Sequence, residues 1–366
     1  MGNLQLKKQH ERVDRKLLIL VLVLTVLGLI AVADASAPQA LNVFNDKFYF
    51  VKEQLKWGVL GLVAMVVFSK IKYTFWARVA TPLFWISVIL LVVVLIPGLS
   101  YSALGARRWI SFGPVNFQPA EIVKLTIAVY IAKLAVSDKK TLAYFLPLVV
   151  AGGLIMLEPD LGTTLVVFLI GFTQIFSAGI PWLHFAAAGG VGVLGAIALV
   201  LTSSYRKDRF LTFLSQSQDP LGRDYHIRQI LLALGSGGLF GVGLGQGRQK
   251  YLFLPEASTD SIFAIIAEEI GFVGCLALIA LFTYFIYRGL TIARKAPDRF
   301  SQILAVGLTA WIGGQIFLNL AAMVALVPLT GIPLPFFSYG GTSLVMVLTA
   351  CGILLNISRN CHAKAR

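Results

Sequence analysis

The sequence predicts an all-α polytopic membrane protein with ten transmembrane helices. Apolar residues fill 57% of the 366 positions and charged residues only 13%, about half the charged share of a soluble domain. The mean hydropathy is +0.82, so lipid must solvate part of the surface. Ten apolar stretches are long enough, or nearly so, to cross a bilayer core of about 30 Å. Residues 1–366 therefore read as one integral membrane domain.

In chain order the expected spans are Leu17–Ala35, Gln54–Phe68, Val79–Pro97, Pro119–Val136, Leu142–Leu157, Leu161–Ala178, Trp182–Leu201, Ser261–Leu290, Gln302–Pro328 and Phe336–Ile357. The first follows a basic leader, 1–16, and could imitate a secretion signal. More spans follow it, so it reads as a retained helix. An even number of spans puts both termini on one side. Eighteen Lys and Arg lie at the termini and in alternate loops, against five on the other face outside one long loop. The positive-inside rule then makes the leader and the tail, 358–366, cytoplasmic. The net charge of +14 is distributed over these short clusters, a pattern of membrane topology and not of nucleic-acid binding. Cys275, Cys351 and Cys361 imply no disulfide framework.

The long extracytoplasmic loop, 202–260, lies between spans seven and eight, and a loop of that length is usually functional. It carries Tyr205, Arg206, Lys207, Arg209, Arg223, Arg228, Arg248 and Lys250. These are either solvated charges that attract anionic head groups or a cationic basin for a diphosphate, which Arg forks suit. Its apolar stretch Ile227–Leu244 is too short and glycine-broken for a span, and reads as a re-entrant or interfacial helix. Gly241, Gly243, Gly245 and Gly247 match neither phosphate-binding glycine spacing. They suit backbone bends or close approach of a ligand.

Ionisable residues in spans are costly and are default candidates for function. Glu121 and Lys124 share a helical face at the start of the fourth span, as an ion pair or as the lining of a cavity. In the turn EPDLG, Asp160 could cap the next helix, whereas Glu158 has no such explanation. Glu268 and Glu269 point about 100° apart, so at most one is expected to face a given cavity. Asp260, at the mouth of the eighth span, is either an N-cap, as Thr259 could be, or a general base. His184 and His226 form no metal set. Ala188, Gly192 and Ala196 give small residues at four-residue spacing, which helix packing explains.

GARRWI (Gly105–Ile110), QPAEIVK (Gln118–Lys124), EPDLGT (Glu158–Thr163), DPLGRDYH (Asp219–His226), GSGGLFGVGLG (Gly235–Gly245), LPEASTDSIFAIIAEEIGFVG (Leu254–Gly274) and GIPLPFFSYGGTSL (Gly331–Leu344) follow one another along the chain. Together they resemble the SEDS family of shape, elongation, division and sporulation proteins, which includes RodA, FtsW and SpoVE. GVGLGQGRQK and LVPLTGIPLP look more like FtsW than RodA. The chain departs from the family in reading STDSIF, with Ser258 and Ser261, where relatives commonly read HTDFIF. That puts in doubt a role for a histidine beside the aspartate.

The resemblance implies a ten-span peptidoglycan glycosyltransferase of the bacterial cytoplasmic membrane that polymerises lipid II on the outer face. It implies a class B penicillin-binding protein, the cross-linking transpeptidase, as partner, among other divisome or elongasome membrane proteins. The family's essential aspartate falls on Asp260 and its Glu–Lys pair on Glu121 and Lys124. Arg206, Arg209, Lys250, Glu158 and Ser338 complete the expected substrate-binding set. The α-linked donor and β-linked product require inversion, hence a base for the incoming hydroxyl. The leaving diphosphate must be neutralised by Arg206, Arg209 and Lys250 or by a divalent cation, Mg or Mn. A transporter or flippase of the same precursor is the alternative, and a non-enzymatic scaffold a third reading.

Overall fold

The computed structural model describes residues 13–98, 100–103, 106–113, 115–137, 141–181, 183–187, 189–190, 192, 195 and 225–361. Its helices are α1 (Arg15–Phe44), α2 (Tyr49–Lys70), α3 (Tyr73–Leu95), α4 (Pro119–Leu134), α5 (Leu142–Leu157), α6 (Leu161–Ser177), α7 (Tyr225–Ser236), α8 (Ile262–Arg294), α9 (Arg299–Met323) and α10 (Gly341–Asn360). All but α7 match expected spans. The seventh span, Trp182–Leu201, and its small-residue spacing lie largely outside the described residues. α1, α3, α8, α9 and α10 are each long and apolar enough to cross a membrane.

Local chemistry sets the helix ends. Asp14 caps α1 by accepting from Leu17 N at 3.0 Å, and Asn45 ends it in the left-handed region, φ 53°. Pro119 opens α4, where its missing N–H costs nothing. Asp298 and Ser301 form a reciprocal capping box at the start of α9. α1 runs well past its expected end at Ala35, because Asp34 is neutralised by a partner described below and does not stop the helix.

α4 is buried on nearly all sides, packed against α3, α5, α6, α9 and α10. α1, α2 and α3 instead expose Ile19, Val26, Ile30, Val59, Val63, Ile86 and Ile89. A central helix ringed by helices with apolar outer faces is the arrangement a lipid solvent stabilises.

One feature corrects the all-helical expectation. Between α3 and α4 the chain forms a three-stranded antiparallel sheet, β1 (Ser100–Ala103), β2 (Ala106–Phe112) and β3 (Val115–Phe117), in the order β1-β2-β3. The cues were present in SYSALGARRWISFGPVNF, where aromatic and β-branched residues alternate with Gly105 and the Gly113-Pro114 turn.

The loop before α8 follows its apolar pattern only in part. α7 is 12 residues long, about 18 Å and too short to span. Beyond it the glycine-rich chain presses into α8, which breaks at Gly271 (φ 67°, ψ −172°). Val242 N and Gly243 N donate to the carbonyls of Glu268 and Glu269, and Phe272 N and Val273 N donate to Gly238 O and Leu239 O. The loop thus satisfies the backbone groups the broken helix releases, as membrane depth requires. A Cβ on Gly241 would lie 2.0 Å from Glu269 O. Gly241 and Gly247 serve close approach to the chain's own helix, and Gly243 and Gly245, at φ of +104° and +81°, serve backbone bends.

Candidate active site

Asp260 sits in a tight turn before α8, with Ser261 N and Thr259 N both donating to Glu256 O. Ser261 is the N-cap and makes no side-chain cap bond, so neither Thr259 nor Asp260 serves as a cap. The half-buried Asp260 carboxylate keeps Oδ1 3.3 Å from Thr259 Oγ1. The turn is fixed from three sides. Asn319 Nδ2 of α9 donates to Asp260 O and to Ile332 O, both at 2.8 Å. Ser338 Oγ donates to Thr259 O, and Tyr339 N donates to Ser258 O at 2.8 Å. His226 Nε2 of α7 lies 2.8 Å from Ser261 Oγ.

The segment 330–339 before α10 is the hub of this arrangement. Gly331 lies against the carboxylate, since a Cβ there would be 3.8 Å from Asp260 Oδ2. Gln54 of α2 ties the far end, donating to Ser338 O and accepting from Gly340 N, both at 3.2 Å. The first turn of α6 presses on the same segment: a Cβ on Gly162 would meet Ile332 Cγ1 at 2.6 Å and Thr330 O at 2.7 Å.

That contact brings the EPD turn alongside. Asp160 caps α6 through Thr163 N at 2.9 Å. Arg108 of β2 clamps the turn, donating to Glu158 O at 3.1 Å and Pro159 O at 2.6 Å. Glu158 is 1% exposed, and neither carboxyl oxygen has a hydrogen-bond partner among the described residues. Burial, then the negative charge of Asp160, push its pKa up to about 9 against the pull of Arg108. The carboxyl is therefore protonated at neutral pH.

Glu121 and Lys124 form a buried ion pair at 2.6 Å. Lys124 Nζ also donates to Gln315 Oε1 at 3.1 Å and lies 5.4 Å from the Trp311 ring centroid. Gln315 Nε2 in turn donates to Pro333 O at 2.9 Å, so the pair reaches the hub through one side chain. Glu121 Oε2 has no hydrogen-bond partner among the described residues.

Lys250 lies elsewhere. Its ammonium is 2.6 Å from Asp34 of α1 and 2.7 Å from Glu269, and the residue is 4% exposed. Burial opposes its charge, but the two carboxylates more than offset that and raise its pKa. Glu269 also accepts from Gly245 N and Gly247 N, and Glu268 from Arg248 N and Gln249 N. The loop wraps around the helix and engages both glutamates, each through a different pair of backbone N–H groups. A cleft of about 160 Å³ opens beside Lys250, lined also by Ala35, Gln39, Leu252 and 254–257.

The structure thus gathers Asp260, Ser338, Glu158 and the Glu121–Lys124 pair around one segment and leaves Lys250 in a separate cluster. Arg206 and Arg209 lie outside the described residues. Sequence reasoning missed Asn319, Gln315, Gln54 and Asp34. Polar side chains in apolar spans were the signal that could have found them.

A family model described as cell cycle protein, FtsW/RodA/SpoVE, matches residues 15–363. The chain belongs to this family. It is 42% identical to stage V sporulation protein E of Bacillus subtilis over 354 residues, 94% of this chain and 97% of that protein. It is 39% identical to the "Probable peptidoglycan glycosyltransferase FtsW" of Trichlorobacter lovleyi over 94% of this chain and 93% of the relative. Among solved structures it superposes on Thermus thermophilus RodA with a TM-score of 0.70 at 29% identity, covering 95% of this chain and 97% of the other. It superposes on a chain of a peptidoglycan synthase complex that coordinates polymerization and crosslinking, with a TM-score of 0.79 at 27% identity, covering 96% and 98%. As a member, the chain is a multi-pass protein of the bacterial cytoplasmic membrane.

Proposed function

We propose that this protein polymerises lipid II into glycan strands at the outer face of the membrane, with Asp260 as general base. The observation that carries this reading is the fixing of Asp260 through its own carbonyl by Asn319, which leaves the carboxylate at the mouth of α8. In the reaction a sugar hydroxyl attacks the anomeric carbon of the donor from the face opposite its polyprenyl diphosphate. The new C–O bond forms as the bond to the diphosphate breaks. The diphosphate leaves with the electron pair, the hydroxyl proton passes to Asp260, and the configuration inverts.

The remaining residues take supporting roles. Ser338 and Asn319 position the aspartate turn. Protonated Glu158 supplies a buried donor to a sugar oxygen. Glu121 and Lys124 order the hub through Gln315. Arg206 and Arg209 neutralise the diphosphate, and Lys250, held by Asp34 and Glu269, ties its own segment to α1 and α8. Among the described residues no three His, Cys, Asp or Glu side chains converge as metal ligands. A Mg or Mn ion beside Asp260 would therefore take further oxygens from the substrate diphosphate.

Both termini are assigned to the cytoplasm, and the loop 202–260 to the outside between the seventh and eighth of ten spans. The partner is a class B penicillin-binding protein. Engagement of Glu268 and Glu269 by the loop favours polymerisation over a flippase path, since neither carboxylate is left to line a transbilayer route. The purified protein with its transpeptidase, given labelled lipid II, should form polymer that Asp260→Ala abolishes. Leaflet exchange without polymer, indifferent to that change, would overturn the proposal.

A further inference from the structure

At the end of the bundle opposite Asp260, the start of α1 meets the ends of α8 and α10 around a cavity of about 290 Å³. Among the described residues it is lined by Arg15, Lys16, Arg288 and Lys295, with Asp14 as the one acid. Asp14 is already used: Oδ1 caps α1, and Oδ2 accepts from Arg288 Nη2. That contact holds the guanidinium in place while its buried Nε keeps no acceptor. Ser358 Oγ accepts from Asp14 N at 3.1 Å and so locks α10 to the same corner. Basic residues at a cytoplasmic membrane boundary need no ligand to explain them. A cavity that gathers four cations against one committed carboxylate is a different feature, because Asp14 offsets only part of their mutual repulsion.

The faces leading away from the cavity indicate which anion. One and two turns from Lys16 stand Ile19 and Val23, 60% and 40% exposed. One and two turns back from Thr291 stand Tyr287 and Tyr284, 58% and 38% exposed, their rings stacked at 6.3 Å. Residues at these spacings share a helix face. The cationic cavity therefore opens onto two apolar faces, one of them bearing the aromatic pair typical of a membrane interface.

We propose that this cavity binds the phosphate of an anionic phospholipid from the leaflet opposite the active site, with the acyl chains along the Ile19–Val23 and Tyr284–Tyr287 faces. The site is separate from Asp260, since α8 has 33 residues between them, a rise of about 50 Å.

The test is native mass spectrometry of the full-length protein with phosphatidylglycerol, phosphatidylcholine or inorganic phosphate. Lys16→Gln/Lys295→Gln removes two exposed cavity charges and leaves Arg288 and its packing intact. Lys70→Gln/Lys72→Gln removes two exposed charges outside the cavity. The wild type should retain phosphatidylglycerol over phosphatidylcholine. The cavity variant should bind it roughly thirtyfold more weakly, at about a factor of five per basic residue, and the control variant should match the wild type. Equal loss in both variants, or none in either, would refute the site. Displacement of phosphatidylglycerol by inorganic phosphate alone would refute the lipid as ligand.

Discussion

Asn319 and Asp260 are joined through the aspartate's backbone: the Asn319 side-chain amide donates to the Asp260 carbonyl at 2.8 Å and to Ile332 O at the same distance. One side chain of α9 thereby fixes both the turn that carries the carboxylate and the segment that walls it. The carboxylate oxygens are not part of this bond, so the amide fixes the position of the turn and the proposed chemistry rests on other atoms.

That separation predicts different outcomes for the two residues. Asp260→Ala or Asp260→Asn should lower glycan polymerisation by about 10²–10⁴-fold, the scale of general-base assistance. Thermal unfolding in detergent should change far less than activity, because the backbone anchors of the turn remain. Lipid II turnover and a melting curve on the same preparation read the two quantities.

Asn319→Leu should cost both activity and stability. The buried Ile332 carbonyl and the part-buried Asp260 carbonyl lose their donor, at about 1–3 kcal/mol for a buried group left unsatisfied. The melting temperature should fall, and turnover should fall at saturating lipid II, since the turn loses its register. An unchanged melting temperature would contradict the role assigned to the amide.

Lys124→Met should be more damaging than its pairing partner's change combined with it. Removing one member of a buried ion pair leaves an uncompensated charge, typically about 3–5 kcal/mol. The double change Glu121→Gln/Lys124→Met should recover most of that loss. Chemical denaturation of the single and double variants measures the difference.

Glu158 gives a pH dependence of definite sign. Its pKa rises from 4.5 unfolded to about 9 folded, so the folded state holds one more proton between those values. Stability from this group is complete below pH of about 4.5 and declines as pH rises toward 9. Glu158→Gln should flatten that decline and stabilise the protein at neutral to alkaline pH by on the order of a few kcal/mol. Melting curves from acid to alkaline buffer test it, and a variant with the same slope as wild type would exclude Glu158 as the source.

Gly241 and Gly271 meet where the loop enters α8. Gly241→Ala places a methyl 2.0 Å from Glu269 O at a backbone φ of +83°. Clash and conformation act together, so a loss of about 2 kcal/mol or more is expected. Proteolysis of the 225–261 region should accelerate in the variant.

Hydropathy and charge asymmetry alone determined that this chain is a membrane protein, where most spans lie, and that Asp260 stands at a helix mouth. These properties sum over neighbours in sequence, and the helix expected over Leu142–Leu157 is found at those residues. Tertiary structure decided the rest. Lys250 and Asp34 pair across 216 positions, and no local pattern could say that the lysine would be spent on a carboxylate of α1. Helical phase placed Glu268 and Glu269 apart, yet both grip one loop, because a chain entering a helix break can reach around the helix. The backbone of a span cannot stay unsatisfied in lipid, so what bonds the broken α8 is a matter of packing and not of composition.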